Sequence, residues 1–238
     1  MGGVAAAAIE ALVPGVCPHC ALPLAGDDRG LCGVCWSSLA PLVGTTCPRC
    51  GGVMDDGLEP CLECLRTEPP QAGMTIWGEH DGVLRTAVLA LKHGRRDDLA
   101  APLGRRLAAR VAAAPWVADL EVVTWVPSHP LRVMRRPWAA AELLAREVAS
   151  ALDLPVRKLL ARRGLGRQTG SSRARRLQLA RHAYRAGRRL RGDVVLLVDD
   201  VTTTGATIRR AAGALRAAGA GSVYSAVLAQ ALDSRRVT

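Results

Sequence analysis

The chain has 238 residues, and 49% of them are hydrophobic, which is enough for the core of one ordinary domain beside a small module. Lys and Arg number 32 against 21 Asp and Glu, so the formal net charge at pH 7 is +11. No apolar run reaches the roughly 18 residues of a membrane-spanning helix, and the first residues lack the basic segment of a secretory signal peptide. We therefore expect a cytoplasmic protein without a membrane span.

All eight cysteines lie between residues 17 and 64, as four CxxC pairs. Two thiolates separated by two residues can bind one metal ion, and two such pairs complete a closed tetrahedral site. The even spacing of the pairs predicts two tandem zinc ribbons, and a cross-braced pairing is also open. The tandem arrangement gives the ligand sets Cys17, Cys20, Cys32 and Cys35, and Cys47, Cys50, Cys61 and Cys64. One or two zinc ions would therefore be structural, because a closed site has no free coordination position.

Two alternatives for the cysteine-rich segment are less well supported. Disulfides are disfavoured by the regular CxxC spacing and the lack of an export signal. His19 lies inside the first CxxC pair and could compete as a ligand, but we expect it to be a solvated residue of the knuckle.

The chain divides into three parts by composition. Residues 1–66 form the cysteine-rich module, residues 67–73 form a linker rich in proline, glycine and polar residues, and residues 74–238 form a second domain. In chain order, hydrophobic patterns in the second domain predict a strand at 74–78, helices at 83–91 and 98–113, a strand at 122–126, a helix at 139–152, a strand at 194–198, a helix at 204–218 and a strand at 222–228. Strands that alternate with helices predict an α/β fold with a parallel sheet.

Two polar segments of the second domain follow predicted elements. Lys92 ends a predicted helix, where it can meet a phosphate or simply stabilise the helix terminus. The loop that follows the strand at 122–126 carries Ser128, His129 and Arg132. Because this strand is part of a parallel sheet, its loop should lie at the carboxyl edge, where ligands of such sheets bind.

The segment 157–191 contains thirteen Lys or Arg residues and no Asp or Glu. Such a segment can neutralise the phosphates of a nucleic acid without sequence preference, and single-stranded DNA or RNA fits best. The candidate contacts are Arg167, Arg173, Arg175 and Arg176. A solvated basic surface is the alternative, and only Tyr184 in this segment could stack on a base.

The run at 194–207, with the sequence VVLLVDDVTTTGAT, is the most informative part of the chain. Five aliphatic residues predict a buried strand, and a helix follows a hydroxyl-rich turn. The N–H groups at the start of that helix favour a phosphate, and the two carboxylates can accept hydrogen bonds from a vicinal diol. The run therefore predicts a site for a ribosyl phosphate. Its candidate residues are Asp199, Asp200, Thr202, Thr203, Thr204, Gly205, Ala206 and Thr207.

This run resembles the motif by which type I phosphoribosyltransferases bind 5-phosphoribosyl 1-pyrophosphate (PRPP). The resemblance implies a type I phosphoribosyltransferase-like parallel sheet and PRPP bound with Mg²⁺ on its pyrophosphate. It further implies that Ser128, His129 and Arg132 lie in the pyrophosphate loop, with Lys92 as a second candidate, and that residues 162–176 form a loop that closes over PRPP. Thr203 stands where the purine-salvage enzymes carry an Asp, so purine-base salvage is disfavoured.

A closer resemblance covers nearly the whole chain. The four CxxC pairs, the sequence LKHGR at 91–95, VPSHP at 126–130, RQT at 167–169 and the PRPP motif occur in the order typical of the ComF family, which includes the GntX-like proteins. One departure is RPWAA at 136–140, where the family usually carries Arg-Gly-Phe-Asn-Gln.

The ComF resemblance implies two hypotheses. The first is a phosphoribosyltransferase that acts with nucleic acid in DNA uptake or in nucleotide metabolism, with an acceptor that the sequence does not identify. The second is a non-catalytic protein of the DNA-uptake machinery that senses PRPP or binds single-stranded DNA. Either could work with a DNA-uptake helicase or other competence proteins.

Overall fold

The structure is a computed structural model that describes residues 15–25, 28–54, 59–93, 96–128, 139–162 and 183–231. Within these ranges no helix is both long enough and apolar enough to cross a bilayer. The helices are α1 (Gly33–Ser37), α2 (Leu62–Arg66), α3 (Gly82–His93), α4 (Ala100–Ala112), α5 (Ala140–Ala151) and α6 (Ala206–Ala217). The strands are β1 (Gly73–Glu79), β2 (Val122–Trp125), β3 (Leu160–Arg162), β4 (Tyr184–Ala186), β5 (Val194–Thr202) and β6 (Ser222–Gln230).

Four of the strands form a parallel sheet in the order β1-β6-β5-β2. Helices cover both of its faces, so its central strands are long apolar runs instead of alternating patterns. On β5, Leu196 and Val198 belong to the core that also contains residues of α3, α4 and α5. Val195 and Leu197 belong to the core on the opposite face, which contains residues of α6. The predicted α/β fold with a parallel sheet is thus confirmed.

The cysteine-rich module packs along the outer edge of β1. The N–H of Leu42 donates to the carbonyl of Trp77 at 2.6 Å, and the N–H of Met74 donates to the carbonyl of Pro48 at 2.9 Å. β1 is the end strand of the sheet, and an uncovered edge would present free N–H and C=O groups to other chains. The module therefore protects this edge and shares the core of the second domain.

The segment 67–73 is not a solvated spacer in the structure. Gln71 is buried, and its Nε2 donates to the carbonyl of Arg49 at 3.3 Å. β1 already begins at Gly73. This segment packs between the module and the sheet because the module lies directly against β1.

The predicted helices and strands of the second domain are present, although several of their ends differ by one to four residues. The strand predicted at 194–198 continues to Thr202, because β6 pairs with it as far as Gln230. The helix predicted from 98 begins at Ala100, after a 3₁₀ turn at Asp97–Leu99. The antiparallel pair β3 and β4 was not predicted, since its residues lie in the basic segment and each strand has only three residues.

Candidate functional site

The eight cysteines form two separate clusters of four. One contains Cys17, Cys20, Cys32 and Cys35 and the other contains Cys47, Cys50, Cys61 and Cys64, and within each cluster all sulfur atoms lie within 4.8 Å of one another. The sulfur atoms of Cys20 and Cys32 are 3.5 Å apart, and those of Cys50 and Cys61 are 3.7 Å apart. Tetrahedral Zn–S bonds of about 2.3 Å place sulfur atoms about 3.8 Å apart. The clusters therefore fit zinc, and the pairing is the tandem one.

The state of the thiols is consistent with metal ligation. All eight cysteines are free, so the disulfide alternative is wrong. Burial alone would raise the pKa of Cys17, but hydrogen bonds from the backbone around Cys20, Cys32 and His19 outweigh it and lower that pKa to about 6. The same balance lowers the pKa of Cys47 to about 7. Backbone hydrogen bonds thus favour the thiolate of one cysteine in each cluster, the form that binds zinc, whereas burial raises the pKa values of Cys35, Cys50 and Cys64.

The first cysteine cluster packs against α3, the helix that carries Lys92. His19 is not among the clustered ligands, and its Nδ1 lies 3.1 Å from the hydroxyl of Thr86 on α3. Cys17, Cys32 and Cys35 belong to the same core as Leu84 and other residues of α3. The position of α3 therefore depends on the first ribbon.

The two carboxylates of the central run lie on opposite faces of β5. Successive side chains of a strand alternate between faces, so Asp200 follows Leu196 and Val198 toward α3, and Asp199 follows Val195 and Leu197 toward α6. β2 pairs with β5 only as far as Val198, and the end of β5 beyond that residue is flanked by the loop that leaves β2. A crevice therefore opens at the carboxyl edge of the sheet, between the end of β5 and the loop after β2. Asp199 and Asp200 lie at this crevice.

Asp200 forms an ion pair with the lysine that the sequence suggested for phosphate binding. The Nζ of Lys92 lies 2.8 Å from Oδ1 of Asp200, and the side chains are 25% and 14% exposed. Both groups are therefore within reach of solvent and of a ligand. The sequence alone could not pair these two residues, which come from α3 and β5.

Asp199 is buried and carries no ion pair among those found in the described residues. Burial, and then the negative charge of Asp200, raise the pKa of Asp199 well above its ordinary value. The backbone N–H of Asp200 donates to Oδ1 of Asp199 at 2.9 Å. This hydrogen bond and the positive charge of Lys92 lower the pKa of Asp199, but they offset the increase only in part. The protonated form of Asp199 is thus favoured relative to that of a solvated carboxyl group.

His80 joins this site although it was not among the predicted residues. It follows β1 directly, and its N–H donates to the carbonyl of Gln230 at the end of β6 at 2.7 Å. Burial, and then the positive charge of Lys92, lower the pKa of His80, so its neutral form is favoured. Its position immediately after a buried strand is the signal that could have identified it.

The turn that follows β5 leads directly into a helix N-terminus. Gly205 has φ of +70°, a left-handed conformation that side chains disfavour, and it precedes the first residue of α6. Its N–H donates to the hydroxyl of Thr202 at 3.2 Å, and no side chain caps the helix. Thr203 and Thr204 are exposed. The first N–H groups of α6 and two hydroxyls therefore face solvent, as an anion site requires.

The remaining predicted residues are only partly described. Ser128 is half-buried in the loop after β2, where the N–H of Val126 donates to the carbonyl of Val198 at 3.0 Å. This places the loop beside the end of β5. The other predicted contacts lie outside the described residues: His129, Arg132, Arg167, Arg173, Arg175 and Arg176.

Two family models match the chain. A phosphoribosyl transferase domain matches residues 138–237, and a double zinc ribbon domain matches residues 8–65. The first model covers β5, the turn into α6 and β6 but not Lys92, His80 or Ser128, and the second covers the two cysteine clusters.

Relatives match over nearly their whole length. The DNA utilization protein YhgH of Escherichia coli O157:H7 is 32% identical over 217 residues, which are 89% of this chain and 95% of the relative. Competence protein F of Haemophilus influenzae is 28% identical over 217 residues, 85% of this chain and 91% of the relative. Among solved structures, the glutamine PRPP amidotransferase of B. subtilis, complexed with ADP and GMP, is 27% identical with a TM-score of 0.42, and the match covers 58% of this chain and 30% of that one. From its sequence relatives and its two domain models, the chain belongs to the ComF family of phosphoribosyltransferase-fold proteins with an N-terminal double zinc ribbon.

Proposed function

We propose that this ComF-family protein binds PRPP at the carboxyl edge of its sheet and acts with nucleic acid in DNA uptake or utilization. The observation that carries the proposal is the sequence of groups at the end of β5. A partly exposed carboxylate at Asp200 is followed, within five residues, by the left-handed Gly205 and an uncapped helix N-terminus. A diol acceptor beside a phosphate site is what a ribose 5-phosphate needs.

Each part of PRPP has a matching group. The 5-phosphate would bind the first N–H groups of α6 and the hydroxyls of Thr203 and Thr204. The ribose hydroxyls would donate to Asp200, whereas the buried Asp199 faces α6 on the other side of β5. The pyrophosphate would extend toward Lys92 and toward Ser128 in the loop after β2.

Lys92 changes partner in this proposal. Without PRPP, its ammonium and the carboxylate of Asp200 neutralise each other at 2.8 Å. When PRPP binds, the ribose hydroxyls would donate to the carboxylate of Asp200 and the pyrophosphate would pair with the ammonium of Lys92, so neither group is left without a partner. The binding energy of the ligand must then exceed the cost of breaking the pair.

Magnesium is the metal that this ligand would bring. Partly exposed carboxylate oxygens such as those of Asp200 are the type of ligand that Mg²⁺ accepts, together with phosphate oxygens. Bound there, Mg²⁺ would neutralise charge on the pyrophosphate as it leaves.

Transfer of the phosphoribosyl group would depend on stabilising the leaving pyrophosphate. The ammonium of Lys92 would take this role, since such electrostatic stabilisation is commonly the largest single contribution to catalysis. Thr203 supplies no carboxylate for acid–base chemistry. We therefore expect an acceptor that needs no base from this position.

Calorimetric titration with PRPP and MgCl₂ tests the proposal. The Asp200→Asn variant should bind PRPP at least tenfold more weakly, since a hydrogen bond to a charged group is worth about 1.5 to 3 kcal/mol. Asp119→Asn is the matched control, because Asp119 is exposed at the end of the 3₁₀ turn Val117–Asp119, which precedes β2. Equal affinity of both variants would refute the site.

A second measurement separates an enzyme from a binding protein. Release of pyrophosphate from PRPP is followed in the presence of nucleobases, nucleosides and single-stranded oligonucleotides. Release that one acceptor accelerates, and that the Lys92→Met substitution slows, establishes transfer. PRPP binding without release in any of these mixtures would favour a sensor.

A further inference from the structure

An open groove runs along α6 outside the proposed PRPP site. It has a volume of about 880 Å³ and lies between α6 and the segment that begins with β4. Its basic lining residues are Arg185, Arg188, Arg189, Arg209 and Arg210. Between these arginines the helix presents only Gly213, Ala214, Ala217 and Ala218. We call this feature the arginine groove.

The charge of the arginine groove is almost uncompensated. Among the described residues that line it, none is acidic. Arg188 comes within 4.0 Å of Asp193, the one ion pair found for these arginines in the part of the chain described here. Five clustered guanidinium groups repel one another, and a polyanion in the groove would relieve that repulsion while releasing its own counterions.

The arginine groove begins at the phosphate-binding turn. The N–H of Arg209 donates to the carbonyl of Gly205 at 2.9 Å, and its Nη1 lies 3.3 Å from the point that a Cβ on Gly205 would occupy. On the other wall, Tyr184 is close enough to Asp199 and Arg210 for their charges to influence its hydroxyl. Arg209 and Tyr184 therefore bring two walls of the groove next to the proposed sugar–phosphate site.

The dimensions of the arginine groove suit a strand of nucleic acid. α6 has 12 residues, so it is about 18 Å long. A stacked strand places one phosphate about every 3.4 Å, so about five phosphates fit along the helix. The small side chains on α6 allow the strand to approach closely, and Tyr184 is too buried to stack on bases. This lining favours contact with the backbone over recognition of sequence.

We propose that the arginine groove binds single-stranded nucleic acid with its 3′-terminal nucleotide in the sugar–phosphate site. The direction in which the strand leaves the site follows from how nucleotides are linked in a nucleic acid. A nucleotide whose 5′-phosphate lies at the N-terminus of α6 and whose hydroxyls reach Asp200 is joined to the rest of its strand only through that phosphate. The strand must then leave the site beside Arg209, where the groove begins.

This inference rests on the proposed function of the sugar–phosphate site, and it adds a preference at the strand terminus. A 3′-terminal ribonucleotide carries a vicinal diol whose hydroxyls would donate hydrogen bonds to Asp200, and a 2′,3′-dideoxynucleotide carries neither hydroxyl. The protein should therefore favour the ribonucleotide end, while the groove itself accepts DNA or RNA.

Fluorescence anisotropy with 5′-labelled oligothymidylates of about 12 nucleotides, longer than the groove of about 18 Å, tests both parts. One strand ends in a ribonucleotide and its match ends in a 2′,3′-dideoxynucleotide. The ribonucleotide end should improve affinity by about tenfold, the effect of one hydrogen bond to a charged group. The Asp200→Asn variant should lose this preference between the two strand ends, because the hydroxyls would no longer meet a carboxylate.

The groove is tested with the triple variant Arg185→Gln, Arg189→Gln, Arg210→Gln. Each phosphate contact contributes about 0.7 to the salt dependence of log K for a single strand, so the triple variant should reduce the slope by about 2. The control is Arg29→Gln, Arg66→Gln, Arg105→Gln, which removes the same charge from exposed positions elsewhere. Thermal melting shows whether each variant remains folded, and Arg189→Gln alone should reduce the slope by about 0.7.

Three outcomes would overturn the inference: equal slopes for the groove and control triples, equal affinity for the two strand ends, or equal competition by polyglutamate of the same charge. Failure of PRPP to bind would refute the proposed function alone, provided that the ribonucleotide preference and the groove dependence persist. Loss of the preference with PRPP binding intact would refute this inference alone.

Discussion

The buried carboxyl of Asp199 predicts how the stability of the protein changes with pH. Burial and the neighbouring Asp200 raise the pKa of Asp199 in the folded state well above its ordinary value of 3.8. Between those two pKa values the folded chain holds one proton more than the unfolded chain. Stability must therefore fall as the pH rises through this interval, and the stabilising effect of the proton is complete only below the unfolded pKa.

The magnitude follows from proton linkage. One extra proton on the folded state changes the free energy of unfolding by about 1.4 kcal/mol per pH unit. The Asp199→Asn substitution replaces the protonated acid by a group of the same shape that does not titrate, and its Oδ1 can still accept from the N–H of Asp200. The variant should therefore become progressively more stable than the wild type as the pH rises.

Urea denaturation followed by circular dichroism, at fixed free zinc and at several pH values, measures the effect. The difference between the two proteins is the quantity of interest, because the pH dependence of zinc binding is common to both and cancels. The Asp119→Asn variant should show no such trend. A difference between Asp199→Asn and wild type that is constant with pH, or that shrinks as the pH rises, would show that Asp199 is not held protonated.

Three further predictions concern other parts of the fold. Gly205→Ala should destabilise the protein by about 1 to 2 kcal/mol in urea denaturation, because φ is +70°, and an unchanged midpoint would contradict the turn geometry. Thr124→Val should cost about 1 to 3 kcal/mol, since the hydroxyl of this buried residue accepts from the N–H of Leu159 at 3.2 Å and valine would leave that donor unsatisfied; Thr124→Ser should retain most of the stability. Metal analysis should give two zinc ions per chain, and a single ion per chain would contradict the two clusters. A strong chelator should unfold the module with a loss of secondary structure, because structural zinc supplies folding energy directly.

The sequence predicted those features that depend on local patterns. The apolar run before Asp199 indicated a strand covered on both faces, and the CxxC spacing indicated the two clusters. The end of β5 was placed too early because polar residues at 199–202 look like a turn, whereas pairing with β6 continues through them. Hydrogen bonds to a neighbouring strand are not visible in a local pattern.

The contacts between distant residues could not be obtained in this way. Lys92 and Asp200 meet because α3 covers the same face of the sheet to which Asp200 points, which requires the register of the whole sheet. His80 became part of the site only because β1 ends beside β6. The arginine groove likewise combines residues of β4 and the segment after it with one side of α6, and the sequence showed only an excess of basic residues.

The position of the ribbon module along β1 links metal supply to the protection of the sheet edge. Without zinc the module would unfold, and the N–H of Met74 and the carbonyl of Trp77 would lose their partners. The exposed edge could then pair with the same edge of another chain, so metal starvation would promote aggregation. The amount of functional protein in a cell would then follow free zinc as well as synthesis. The second domain without residues 1–66 would lack this cover even when zinc is abundant, so it should be less soluble than the full chain.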